Sequence, residues 1–177
     1  MNKLLLHICC GPCASYPVPF LQDQGYEVCG YFYNPNIHPF TEYQKRRQAL
    51  SEYASSIDLP VIYEEEHDPA EYMRQVVHRE DRRCIYCYRM RLEKTAQMAQ
   101  KGGFSGFATT LGVSPYQKQE LIQATGEAMA EHYGIPFLYY DFRPGYRETV
   151  KISRQLNLYR QKYCGCFYSE LERYAAK

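Results

Sequence analysis

The 177-residue chain reads as an α/β protein built on a parallel sheet in three layers. Short apolar runs alternate with longer segments whose apolar residues recur at helical spacing, and strands separated by helices pair in parallel through right-handed crossovers. The first run, Leu4 to Cys9, is also continuous rather than alternating, as expected of a strand covered on both faces.

Leu4 to Cys9 is the first strand. Pro12 opens a helix over Cys13 to Gln22 that stops before Gly25. Val28 to Tyr33 is the second strand, and Asn34-Pro35-Asn36 forms a turn. Thr41 and Gln44 are spaced as a capping box for a helix whose buried stripe is Tyr43, Leu50, Ala54 and Ile57. Pro60 to Tyr63 is the third strand. Residues 79–100 form a helix that ends at Gly102-Gly103, and Phe104 to Thr110 is the fourth strand. Ser114, with Pro115 and Gln117 behind it, starts a helix that runs to Tyr133 and closes at Gly134. Phe137 to Tyr140 is a fifth strand ending at Asp141. Residues 146–177 form a helical C-terminal segment interrupted near Cys164-Gly165-Cys166. No repeat or linker divides the chain, so residues 1–177 are expected to form a single α/β domain.

A domain of this length buries roughly 70% of its unfolded surface and has no need of disulfides to fold. No signal peptide is expected, because Met1-Asn2-Lys3 is followed by only three leucines before His7. No apolar run nears the ~20 residues that span a bilayer. The protein is therefore expected in the cytoplasm, without a membrane partner. In that setting eight cysteines point to metal or redox chemistry rather than to structural bridges. The net charge of +1 hides an uneven distribution. Residues 143–162 carry Arg143, Arg147, Lys151, Arg154, Arg160 and Lys162 against Glu148 alone. That is a face for a phosphate backbone or a solvated helix surface.

Ligands in open parallel sheets bind outside the carboxyl ends of the strands. Those ends carry Cys9-Cys10, Asn34-Pro35-Asn36, Thr109-Thr110 and Asp141, so sulfur stands at the rim where a phosphate loop could otherwise sit. Three cysteine groups follow. In Cys9-Cys10-Gly11-Pro12-Cys13, adjacent strand residues point to opposite faces, and Gly11 is expected to permit the turn that lets both thiols face one object. Zinc ligands are usually spaced by two to four residues, whereas a four-iron cluster gives neighbouring thiolates separate irons. Cys13 falls in the first turn of the next helix, where the dipole favours thiolate. Cys84 and Cys87, three apart, share a helix face and are flanked by Arg82, Arg83, Arg89 and Arg91, which are expected to lower their pKa values. Taken alone, that pair fits metal binding, a redox dithiol or coincidence. Cys164 and Cys166 lie on one side of an extended segment, and a disulfide closing so small a loop is strained, which suits reversible redox work or a second metal. Cys29 and His7 read as core residues. Asp141 is either a partner at the site or a helix cap.

HICCGPC, CIYC and LYRQKYCGCFYS, in that order and together with YNPNIHPFTEYQKR and DFRPGYRE, resemble the QueH-type epoxyqueuosine reductases over nearly the whole chain. The resemblance implies an adenine-nucleotide-hydrolase-like, Rossmann-like fold without a working ATP loop. It also implies a [4Fe–4S] cluster on Cys9, Cys10, Cys84 and Cys87, and a redox-active pair at Cys164 and Cys166. A second iron beside the cluster is implied as well, with Cys13, Asp141 and the 164/166 pair as candidate ligands. Cys164, Cys166 and Asp141 are the candidate catalytic residues. The implied reaction removes the epoxide oxygen of epoxyqueuosine at the wobble position of tRNA, a two-electron deoxygenation fed by an unidentified electron donor. Two rivals remain: a metal-free thiol–disulfide oxidoreductase, and a zinc-stabilised RNA-binding protein.

Overall fold

A computed structural model describes residues 2–175. Four strands, β1 (Asn2–His7), β2 (Tyr26–Phe32), β3 (Val61–Tyr63) and β4 (Gly106–Thr109), form a parallel sheet in the order β3-β2-β1-β4. The helices are α1 (Gly11–Ala14), α2 (Pro17–Asp23), α3 (Phe40–Ser56), α4 (Pro69–Val76), α5 (Arg83–Lys101), α6 (Gln119–Tyr133), α7 (Tyr146–Gln155) and α8 (Phe167–Ala175).

The continuous apolar run in β1 is explained by burial on both faces. Leu4, Leu6 and Ile8 pack with Val18, Leu21, Leu50 and Ala54 from α2 and α3. Leu5 points the other way, into a cluster with Tyr31, Leu92, Ala96 and Phe107 under α5. Helices thus cover the sheet above and below, giving three layers. The chain grows outward from β1 through β2 to β3, then returns to place β4 on the other side of β1. The reversal between β1 and β4 is a switch point, where crevices open at the carboxyl edge. Cys9 and Thr110 face each other there: the Cys9 N–H donates to Thr110 Oγ1 at 3.4 Å, and the Cys9 sulfur lies 3.7 Å from the same hydroxyl.

Several expected boundaries move. The fifth strand is reduced to one bridge, Phe107 with Phe137. β4 ends at Thr109, whose Oγ1 accepts from Leu111 N at 3.2 Å and turns the chain into a short 3₁₀ segment. Tyr139 and Tyr140 therefore find no further ladder, and Tyr140 packs its ring against Phe20 and Phe142. α3 begins at Phe40 behind Pro39, so Thr41 does not cap it. α6 begins only at Gln119, because the Tyr88 hydroxyl holds the preceding turn, donating to Gln117 Oε1 at 2.5 Å and accepting from Lys118 N at 3.2 Å. Helix α4, unanticipated, is capped by Asp68, whose Oδ1 accepts from Ala70 N at 3.0 Å and Glu71 N at 3.3 Å, with Pro69 at the first position. The C-terminal segment is helical only over α7 and α8.

Candidate metal and redox centre

Cys9, Cys10 and Cys13 are all buried, and their sulfurs lie within 4.8 Å of one another, the one such group of three potential metal ligands among the described residues. Cys10 is extended (φ −172°, ψ 165°) and stands at the N-cap of α1, which carries Cys13 in its first turn. Gly11 is required for a reason other than the one expected. Its φ is not positive; a Cβ on it would meet the Ala49 carbonyl oxygen of α3 at 2.3 Å. The missing side chain lets α1 seat against α3, and that seating folds the three thiols together.

Hydrogen bonding with the Cys10 and Cys13 sulfurs holds Cys9 well below the usual thiol range. Burial pushes Cys10 well above it. Interaction with Cys10 pulls Cys13 down, but Cys9 and burial outweigh it, so Cys13 rises instead of being lowered by the helix dipole. Cys9 is thus the readiest of the three to give up its proton. Gln161 closes the group from the C-terminal segment: Cys10 donates to its Oε1 at 3.1 Å, and its Nε2 donates to Cys13 at 3.2 Å.

Cys84 and Cys87 open α5. Cys84 packs against the cluster that contains the trio, while Cys87 is buried with Tyr72, Val76 and Cys166. Of the flanking arginines, Arg91 reaches a sulfur: its Nη2 donates to Cys87 Sγ at 3.0 Å and its Nε to the Cys87 carbonyl at 3.1 Å. Burial nevertheless dominates and pushes the Cys87 thiol up to about 12, so the expected lowering of that thiol does not occur.

Gly165 (φ 153°), where a Cβ would sit 3.0 Å from the Asn36 side-chain amide, divides the last pair. Cys164 is exposed and accepts from Gln117 Nε2 at 3.1 Å; burial of its sulfur raises its pKa. Cys166 is buried, yet the Tyr72 hydroxyl and the amide and hydroxyl of Ser169 outweigh burial and lower it. Two fully buried cations flank these sulfurs. Arg46 on α3 pairs with Glu42 at 2.8 Å and donates from Nη1 to the Cys164 carbonyl at 2.8 Å and from Nη2 to the Tyr163 carbonyl at 2.9 Å. Glu42 in turn accepts from the Tyr159 hydroxyl at 2.5 Å. Arg91 is the other, and its charge acts on Cys87, Cys164 and Cys9.

Asp141 is exposed, with both carboxylate oxygens held by the Arg143 guanidinium at 2.6–2.8 Å and the Arg143 amide bonded to Oδ1 at 3.0 Å. His7 is a buried neutral core residue between Thr109 Oγ1 (3.0 Å) and the Tyr33 carbonyl (3.1 Å), its pKa lowered to about 4 chiefly by burial. Cys29 lies half-buried on β2, against the α5 side of the core. No role at the site is legible in the sequence for Glu42, Arg46, Gln117, Gln161 or Tyr72. Only the i,i+4 spacing of Glu42 and Arg46 carried a local signal. No helix among the described residues is long and apolar enough to cross a membrane.

Known proteins resemble the chain over nearly its whole length. The family profile described as Epoxyqueuosine reductase QueH matches residues 4–172. The Epoxyqueuosine reductase QueH of Dehalococcoides mccartyi is 42% identical over 172 residues, covering 97% of this chain and 94% of that protein. The protein of the same name from Thermotoga maritima is 38% identical, covering 98% and 93%. A crystal structure described as a predicted subunit of tRNA methyltransferase from Methanocaldococcus jannaschii aligns with a TM-score of 0.56 at 15% identity, covering 87% of this chain and 75% of that one. That likeness concerns the fold alone and agrees with the three-layer α/β architecture expected from the sequence.

Proposed function

Because the chain belongs to the QueH family of epoxyqueuosine reductases, we propose that it removes the epoxide oxygen of epoxyqueuosine in the anticodon of tRNA, leaving the ring alkene of queuosine. The observation that carries this reading is the buried Cys9, Cys10 and Cys13 trio at the switch point of the sheet.

The donor set fits an iron–sulfur centre: clustered soft ligands, buried, with two cations and no carboxylate cluster beside them. Cys9, Cys10, Cys84 and Cys87 would hold a [4Fe–4S] cluster, and Cys13 would remain for a second iron. Such a cluster supplies electrons one at a time. The epoxide needs two electrons and two protons to become alkene and water, which is what two thiols release on closing a disulfide. Cys166, with its lowered pKa, is the readier thiolate of the 164/166 pair. Cys164 stands exposed where substrate arrives and brings a proton. Asp141, in the same reading, is a candidate proton carrier freed when an anticodon phosphate draws Arg143 away.

Arg154, Arg160 and Lys162 are exposed on either side of Gln161 and would take the RNA phosphates. Tyr116, 84% exposed, adjoins the Gln117 that touches Cys164 and would stack a splayed-out base. The enzyme would work in the cytoplasm, where a separate donor restores the dithiol.

Anaerobic purification tests the centre: about four irons and four sulfides per chain and a brown colour are expected. A colourless protein, or zinc near one equivalent, would overturn it in favour of thiol exchange or a structural zinc site. Cys87→Ala should lose the visible absorption. Cys166→Ser should keep iron and lose turnover on epoxyqueuosine-containing tRNA; undiminished turnover would remove the pair from the mechanism.

A further inference from the structure

Helix α5 buries a cation that no carboxylate answers. Arg91 is 1% exposed, and among the described residues no carboxylate oxygen lies within the 4.0 Å of an ion pair from it, whereas its neighbours Arg89 and Lys94 on the same helix reach Glu93 and Glu64. What surrounds its guanidinium is sulfur, backbone and ring: the Cys87 sulfur at 3.0 Å, the Cys87 carbonyl at 3.1 Å and the Tyr88 ring at 5.7 Å. Its charge is felt next at Cys164 and Cys9, which come from the opposite ends of the chain.

Taking a guanidinium out of water without a partner anion costs several kcal/mol. No carboxylate offsets it here; what it meets is a sulfur and a carbonyl, and the sulfur becomes a full counter-charge once ligation takes its proton. We propose that Arg91 is a positioning residue that supplies the counter-charge of the sulfur site, offsetting the negative charge that gathers when separate chain segments bring thiolates together. One arm of the guanidinium fork grips the sulfur of Cys87 and another its own helix carbonyl, so the charge is fixed in place. Lysine would keep the charge and lose the fork. The inference rests on the reading of these cysteines as holders of an inorganic centre, but part of its test needs no metal.

That part is a double-mutant cycle on the full chain, iron-free and anaerobic, with Arg91→Met, Cys87→Ala and both, read by denaturant unfolding. With Arg91 present, Cys87→Ala strips a buried cation of its nearest sulfur. With methionine at position 91 that cost disappears. The unfolding constant is expected to rise at least about tenfold more on Cys87→Ala in the arginine background than in the methionine one. Equal effects in both backgrounds would reduce Arg91 to packing and overturn the proposal. Should Arg91→Met fail to fold, the iron-loaded Arg91→Gln and Arg91→Lys proteins decide by midpoint potential, which follows net charge and hydrogen bonds to sulfur. A more negative potential for Arg91→Gln, restored toward the parent value by Arg91→Lys, is expected; a potential unchanged in Arg91→Gln would overturn the proposal. Absence of iron from the parent protein would defeat the cluster reading and leave the unfolding cycle to judge Arg91.

Discussion

Arg46 on α3 and Arg91 on α5 are the two largest side chains that the fold buries completely, and they are balanced in opposite ways. Arg46 has a carboxylate, Glu42, and spends its remaining donors on the carbonyls of residues 163 and 164. Arg91 has a thiol and its carbonyl. The first arrangement is complete within the polypeptide and acts as a clamp: α3 holds the C-terminal loop down so that Cys164 and Cys166 reach the rim. The second is complete only when sulfur is charged. One cation therefore serves architecture, and the other ties the stability of α5 to the state of the cysteines.

The comparison breaks most readily at Glu42. Glu42→Ala leaves Arg46 buried without its anion, and removal of one partner from such a pair costs about 3–5 kcal/mol. A fall of that size in unfolding free energy is expected from denaturant titration, and a loss below about 1 kcal/mol, the range of an exposed pair, would show that the clamp is not a buried ion pair in solution. A smaller effect follows from Arg46→Lys, which keeps the charge but cannot reach Glu42 and two carbonyls together. About 1–3 kcal/mol of stability should go with the unmet carbonyls. The loop should loosen, with Cys164 alkylated faster than in the parent; an unchanged alkylation rate would separate Arg46 from the placing of that thiol.

The difference between the arginines was invisible in the sequence, and the reason is physical. Both sit in helices at positions where an arginine is ordinarily a solvated face, and what makes them internal is tertiary: the C-terminal loop crossing α3, and Cys87 turning inward. Gln161 and Gln117 are missed for the same reason, since a glutamine acquires meaning only from the sulfur it touches. The thiols themselves were legible because cysteine is rare and clustered, and β1 was legible because a strand covered on both faces must be apolar throughout. Asp68-Pro69 carried a plain helix-start signal, masked by the acidic run before it. The start of α6 was beyond local reading, since Tyr88, distant in sequence, decides it.

Two finer effects sharpen the contrast between buried and exposed polar groups. His38 has both ring nitrogens buried without a partner, and burial, aided by His67, lowers its pKa to about 4. In the unfolded chain it titrates near 6.5, so between those values the unfolded state binds more protons. Its contribution to stability is therefore whole above about pH 6.5 and is lost as pH falls toward 4. The denaturation midpoint should decline over that window in the parent, and more shallowly in His38→Phe, which keeps the ring contacts with Tyr72 and Phe167. Parallel pH profiles would assign the acid sensitivity elsewhere.

The smallest change in stability is expected at Asp141, because an exposed pair is screened by water and salt. Arg143 holds the Asp141 carboxyl below the usual range, yet Asp141→Asn should leave the denaturation midpoint where it was. That neutrality makes the variant informative about chemistry. If Asp141 carries a proton to the departing oxygen, the Asp141→Asn protein should turn over more slowly with iron content and tRNA affinity unchanged. Turnover equal to the parent's would leave the carboxylate as the acceptor of the Arg143 amide and nothing more, placing proton delivery with Cys164.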